Sequence, residues 1–246
     1  MRIVCFIEAR VRSTRLPGKV LKPILGKPML QLMVERVKRA RTIDGIVIAT
    51  TDGPCDDAIA ELARCLGVGV FRGSEDDVLA RVLGAARAYQ ADVIVETTGD
   101  CPLHDPAIID KVVADFRLGG ADFVSNVLQY TTPRGTDVRV FTAEALGEIN
   151  RRSNDPADHE HVSIHFWEHP EKYRLRNVST ELPPEAAQLR LTVDTPEDFE
   201  LVQLVYEELY PTNPEFRLAD ILDLFDRKPD LRLINQNVVQ KRIRPA

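Results

Sequence analysis

The sequence predicts an α/β fold: a mainly parallel, doubly wound sheet with a small inserted subdomain. Three observations lead there. Apolar runs of strand length alternate with segments of helical periodicity through residues 1–100, the pattern of successive βαβ units. The run 92–98 is nearly continuous in apolar and β-branched residues, as suits a strand covered on both faces. After residue 125 the rhythm breaks, and it resumes near 189. That break marks an insertion at 128–185 within one domain spanning 1–246.

In order, Ile3–Ala9 reads as a strand. Pro28 opens a helix through Ala40, because proline suits a first turn and Met29, Leu32, Met33 and Val37 recur at helical spacing. Gly45–Thr51 reads as a strand, Asp56–Leu66 as a helix, Val68–Phe71 as a short strand and Asp76–Tyr89 as a helix. Asp92–Thr98 is the fourth strand. In the insertion, Tyr130–Thr142 reads as a loop and strand, Asp158–Glu168 as a helix and Tyr173–Ser179 as a strand. Leu189–Asp194 reads as a further strand of the main sheet. Helices at Pro196–Leu209 and Leu218–Phe225 follow, then a basic tail from Lys228. Such sheets place their chemistry at the carboxyl ends of the strands.

Hydrophobic residues make up 44% of the chain and charged residues 28%, ordinary globular values that argue against disorder. The N-terminus enters strand β-pattern directly, without a signal-peptide core and cleavage site, and no apolar run reaches membrane-spanning length. Cys5, Cys55, Cys65 and Cys101 form no CxxC pair, which points to reduced thiols rather than a zinc ribbon. The expectation is a cytoplasmic protein that neither spans a membrane nor binds nucleic acid.

The net charge of −6 is unevenly spread. Residues 1–41 hold eleven Lys/Arg and two acids, and Arg10–Lys27 holds six basic residues and no acid. A solvated basic face is the plain reading of such a run. Here it directly follows a strand and contains Ser13, Thr14 and Gly18, so backbone N–H groups can approach an anion that Arg10, Arg15 and Lys19 also hold. The acidic remainder of the chain favours a small polyanion over DNA or RNA. Gly18-Lys19 and Gly26-Lys27 lack the rest of a Walker loop, and Gly67-Val-Gly69 lacks its third glycine.

Two carboxylates stand at strand ends: Asp100, after the 92–98 strand, and Asp194, after 189–193. Each also reads as a turn or helix-start residue. Converging from two strands, the pair suits Mg²⁺, which needs one or two carboxylates besides phosphate and water. The histidines 159, 161, 165 and 169 do not form HExxH, since Ser163 stands four after His159. A substrate-binding role for His159 or His161 and a structural helix face both remain open.

Several runs carry a resemblance. Ala9-Arg-Val-Arg-Ser-Thr-Arg-Leu-Pro-Gly-Lys19, Gly26-Lys-Pro-Met29, Ile48-Ala-Thr-Thr-Asp52, Gly99-Asp-Cys-Pro-Leu103 and Val193-Asp-Thr-Pro-Glu-Asp198 resemble the cytidylyltransferases that activate acidic sugars, the CMP-KDO and CMP-acylneuraminate synthetases. Arg72-Gly-Ser-Glu-Asp-Asp-Val-Leu-Ala80, Arg134-Gly-Thr-Asp137, Glu160-His161 and Asn235 with Gln240-Lys241 resemble the SpsF-like branch of spore-coat polysaccharide proteins. Glu8 stands where that branch carries Gln, and Val11-Arg12 where it carries small or aromatic residues.

The resemblance implies a Rossmann-like, GT-A-type nucleotidyltransferase that joins CMP from CTP to an acceptor and releases pyrophosphate, for surface-polysaccharide or glycoconjugate synthesis. It implies that Arg10, Ser13, Arg15 and Lys19 hold the triphosphate, that Arg72 and Ser74 lie near the cytosine, and that Ala9, Thr14, Thr51, Asp52, Gly73 and Thr98 complete the nucleotide site. Arg10, Arg15, Lys19 and Asp100 are thereby expected to carry the catalysis and Asp100 and Asp194 to hold Mg²⁺; Arg12, Arg134, Asp137, His159 and His161 are the candidates for binding a small anionic acceptor. A homodimer through 128–185 is expected. The alternatives are a glycosyltransferase, disfavoured by the lack of Asp-x-Asp, and a silent nucleotide-binding scaffold.

Overall fold

The computed structural model describes residues 1–241; the end of the basic tail lies outside the described residues. Strand β1 (Ile3–Glu8) leads through a small hairpin, β2 (Pro23–Ile24) and β3 (Lys27–Pro28), into α1 (Met29–Val37). β4 (Gly45–Thr51), α2 (Asp57–Cys65), β5 (Gly69–Gly73), α3 (Val78–Ala88), β6 (Val93–Thr98) and α4 (Pro106–Arg117) follow in regular alternation. The chain then adds β7 (Phe123–Ser125), β8 (Arg139–Thr142), α5 (Ala143–Arg152), α6 (Pro156–His161), α7 (Ile164–Glu168) and β9 (Leu175–Asn177). It ends with α8 (Pro196–Leu209) and α9 (Leu218–Arg227).

The central sheet has the order β5-β4-β1-β6-β8-β7-β9. β5, β4, β1 and β6 run parallel, and β8 enters antiparallel between β6 and β7. Alternate residues of β1 serve two cores, as a strand with helices on both faces must. Ile3, Cys5 and Ile7 pack with residues of α1, α4, α8 and α9, while Val4 and Phe6 pack with α3, α5 and α7. Phe6 is fully buried, which is worth roughly 1.5–3 kcal/mol for such a side chain.

Most expected elements through residue 125 agree with the structure to within about three residues. Two later ones need correction. Leu189–Asp194 is extended but is no sheet strand; it makes one parallel bridge, Arg134 to Arg190. Its amides find partners in two different loops, Leu191 N with Arg134 O at 2.7 Å and Val193 N with Asp100 O at 2.8 Å. The expected helix at 158–168 divides into α6 and α7 at Val162, where φ is +44°. His161, His165 and His169 therefore share no continuous helix face. The segment 128–185 lays β8 and β9 into the central sheet and packs α5 and α6 against α3.

Pairing places Glu8 opposite Ala49 and Thr98, so the loops after β1, β4 and β6 share one edge. Gly99 lets two of these loops touch: a Cβ there would sit 3.0 Å from the Glu8 carbonyl oxygen and from the Ala9 Cβ.

Candidate active site

A cleft of about 870 Å³ opens at that edge, between the loop after β1 and the β8–β9 side of the sheet. The loop is held in shape by backbone. Gly18, at φ +72°, donates its N–H to Val11 O at 2.9 Å, and Val11 N donates to Asp56 Oδ1 at 2.7 Å. Asp56 is fully buried and also accepts from Thr51 Oγ1 at 2.5 Å. One carboxylate thus pins the loop to the end of β4.

Lys19 forms the centre of the cleft's basic half. Its Nζ donates to Asp100 Oδ2 at 3.1 Å, Asp194 Oδ1 at 3.1 Å and Val193 O at 2.7 Å. The other Asp194 oxygen faces Arg15 at 3.0 Å and Arg190 at 2.7 Å. Thr98 Oγ1 donates to Asp100 Oδ1 at 2.6 Å. Burial works against the charged form of Asp100, but the Lys19 ammonium and the Thr98 hydroxyl outweigh it and hold the carboxyl below its ordinary value. Burial likewise opposes the charge on Lys19, and Asp100 and Asp194 together raise its pKa. Both groups are charged at neutral pH.

Arg190 was not anticipated from sequence. Its guanidinium lies against Asp198, with Nε to Oδ1 at 2.8 Å and Nη2 to Oδ2 at 3.1 Å. Asp198 is itself buried and forms a capping box with Thr195 at the start of α8. The helix-start signal at 194–198 therefore holds, and Asp194 also faces Lys19.

Arg10 and Arg12 both reach Glu75, with Arg12 Nη1 at 3.2 Å from Oε2 and Arg10 Nη1 at 3.9 Å from Oε1. They line the cleft together with Ala9, Ser13, Thr14, Arg15 and Thr98. Of the residues expected to bind the nucleotide, Thr51, Asp52, Gly73 and the two expected near the cytosine, Arg72 and Ser74, lie outside its lining. Thr51 is buried against Asp56, and Asp52 N donates to Gly73 O at 2.9 Å. Arg72 is occupied by the β4–α2 connection: Thr51 O at 2.9 Å, Gly53 O at 2.8 Å and Asp57 Oδ1 at 2.6 Å. Ser74 Oγ accepts from Asp77 N at 3.0 Å.

The opposite half carries Tyr130, Arg134, Asp137, Arg139 and Trp167. Arg134 stacks on the Tyr130 ring at 4.6 Å and donates to its hydroxyl at 3.0 Å. That hydroxyl donates to Asp137 Oδ2 at 3.2 Å. Gly135, at φ +101°, brings this turn onto the 190–192 run, where a Cβ would stand 2.5 Å from Leu191 C. His161 lines the cleft beside Glu160. His159 does not; its Nδ1 is 2.9 Å from Asp77 and its Nε2 3.1 Å from Ser153 O.

The floor holds charges that the sequence reading passed over. Arg139 lies 3.6 Å from Glu96 and 3.4 Å from Asp137, and over the Trp167 ring at 5.6 Å. Glu8 Oε1, Glu96 Oε2, Arg81 Nε and Arg139 Nε are shielded from solvent and have no hydrogen-bond partner among the described residues. Burial and the neighbouring Glu96 push the Glu8 carboxyl up to about 8, against the pull of Arg81 and Arg139. An acid inside the apolar run of β6, Glu96, was the available signal for this floor.

Cations from the loop after β1 and the carboxylates of Asp100 and Asp194 meet at the carboxyl-terminal edge of the parallel strands, the edge where nucleotide-dependent transferases of this fold class carry their chemistry. Comparison with known proteins agrees. Residues 4–231 match the cytidylyltransferase family model. The Bacillus subtilis spore coat polysaccharide biosynthesis protein SpsF is 34% identical over 235 residues, covering 93% of this chain and 95% of its own. The 3-deoxy-manno-octulosonate cytidylyltransferase of Geobacter sulfurreducens is 31% identical over 249 residues, covering 82% and 98%. A solved cytidylyltransferase from Leptospira borgpetersenii superposes with a TM-score of 0.90 at 34% identity, covering 98% of this chain and 100% of that one. The chain belongs to the cytidylyltransferase family.

Proposed function

We propose that this cytidylyltransferase transfers CMP from CTP to a small anionic acceptor with the aid of Mg²⁺, releasing pyrophosphate, in the cytoplasm and as a homodimer. The observation that carries the reading is Lys19 held between Asp100 and Asp194. An ammonium between two carboxylates marks a point where cationic charge is needed. Among the described residues no group of three or more His, Cys, Asp or Glu side chains is arranged for a metal, but two carboxylates beside phosphate and water are a sufficient donor set for Mg²⁺. Bound there, Mg²⁺ supplies positive charge to the phosphates.

The chain's own residues supply the rest. Arg10, Ser13, Thr14 and Arg15 orient the phosphates along the loop. An acceptor oxygen attacks the α-phosphorus in line, the bond from that phosphorus to the bridging oxygen breaks, and pyrophosphate leaves with the electron pair. Lys19 and Arg15 stabilise the charge growing on it. Arg134 and His161 hold the acceptor's anionic group, and positioning lowers the remaining barrier. A phosphate acceptor yields a CDP-linked product and needs no base. A sugar-acid hydroxyl yields a CMP-linked one and requires a base to take its proton. The SpsF and 3-deoxy-manno-octulosonate relatives support a role in polysaccharide or glycoconjugate synthesis.

The test is pyrophosphate release with each of four nucleoside triphosphates, with and without Mg²⁺, across acidic sugars and phosphorylated alcohols. Release with CTP and Mg²⁺ alone supports the reading; preference for ATP or UTP sinks it. Sedimentation of wild type and of variants in 128–185 tests the dimer.

A further inference from the structure

One part of the cleft is built from the far end of the chain. Gln240 and Lys241 line it, although they lie far along the chain from the loop and beyond the last helix. The segment that brings them there is tied down at two points. Asn235, buried, donates through Nδ2 to Arg190 O at 3.0 Å and to Asp198 Oδ1 at 2.8 Å. Gln240 Oε1 then accepts from Arg190 Nη1. Arg190 in turn donates to Asp194 Oδ2 at 2.7 Å, the oxygen that also faces Arg15. The chain end is therefore coupled by hydrogen bonds to the carboxylate that Lys19 also holds.

Charge at this end of the cleft is closely balanced. Lys19, Arg15 and Arg190 face Asp100, Asp194 and Asp198, and Glu75 contacts both Arg10 and Arg12. A triphosphate brings several negative charges into that setting. Lys241 is exposed and forms no ion pair among the described residues. It lines the cleft that an incoming anion enters.

We infer that the C-terminal segment is part of the nucleotide site: Lys241 binds the triphosphate, and Gln240 is a positioning residue that sets Asp194 through Arg190. The inference rests on the nucleotide reading above. A side chain that only tidied the tail would have no reason to depend on charge, whereas a phosphate ligand requires it.

The experiment is a calorimetric titration of CTP with Mg²⁺ into the full chain and into Lys241→Ala, Lys241→Arg, Gln240→Ala and Gln240→Glu, with thermal melts of each. Lys241→Ala is expected to weaken CTP binding about tenfold and to flatten its salt dependence, the loss of one charge-assisted phosphate contact. Lys241→Arg restores the affinity to within about threefold, and the melting temperatures stay together. Gln240→Ala raises the Mg²⁺ concentration needed for half-maximal CTP binding, and Gln240→Glu, which still accepts from Arg190, reverses that. A parent chain that binds CTP and a Lys241→Ala variant that binds it equally well overturn this inference alone. A parent chain that binds no CTP overturns the nucleotide reading and this inference with it.

Discussion

Replacing Lys19 by Met tests the charge logic of the cleft at its centre. The substitution keeps an unbranched side chain of similar length and removes the ammonium that lies 3.1 Å from both Asp100 and Asp194. Asp194 keeps Arg15 and Arg190, so the exposed cost falls mainly on Asp100, whose remaining donors are Thr98 and the weak thiol of Cys101. Removing one partner of a buried pair costs about 3–5 kcal/mol, and the partial compensation here places the loss near ~3 kcal/mol. For a chain of this size that lowers the melting temperature by roughly 6–12 °C at pH 7. The pH dependence carries a sign. Asp100 is depressed in the folded parent, so its contribution is present above the unfolded carboxylate value and is lost as pH falls through the folded one. Lys19 is raised, so its contribution is complete below its unfolded value and is lost only as pH rises through the higher folded one. In the variant Asp100 protonates more easily, and the gap in melting temperature from the parent narrows between pH 7 and pH 4. Calorimetry across that range reads it. A constant gap, or none at pH 7, would refute the reasoning.

Three further outcomes are expected. Glu8→Gln melts above the parent, and the difference grows from pH 5 to pH 9, because a carboxyl raised to about 8 in the fold resists ionisation that the unfolded chain accepts near its ordinary value; parallel melting curves would contradict this. Arg139→Met strands Glu96 beneath the cleft and destabilises by about 3 kcal/mol or more, while Arg139→Met combined with Glu96→Gln recovers much of the loss in denaturant titration. Gly135→Ala forces a Cβ against the Leu191 backbone at a positive φ and costs roughly 1–3 kcal/mol of strain; an unchanged unfolding midpoint would show that the 134–135 turn can move.

The first half of the chain was legible because its signals are local. β1, β4 and β6 are short runs buried on both faces, and the run from Arg10 to Lys27 concentrates cations with no acid among them. Asp100 and Asp194 could be paired from sequence because each follows an extended apolar run, even though the second run proved to be no sheet strand. What remained hidden depends on contacts between distant segments. Arg190 reads as an ordinary polar residue until Asp198, Gln240 and Asp194 close around it. Arg139 and Glu96 meet only because β8 enters antiparallel beside β6, a pairing that no local period announces. The helix at 158–168 was misread because nothing in its composition marks Val162, which takes a positive φ under tertiary packing.

The central claim is that this cleft cleaves CTP between its α- and β-phosphates. CTP labelled at either the α- or the γ-phosphate, incubated with Mg²⁺ and an accepted acceptor, tests it most directly. The α-label is expected in the acceptor product and the γ-label in pyrophosphate, with both lost in Asp100→Asn. A γ-label found in the product, or in free orthophosphate without product, would contradict the account.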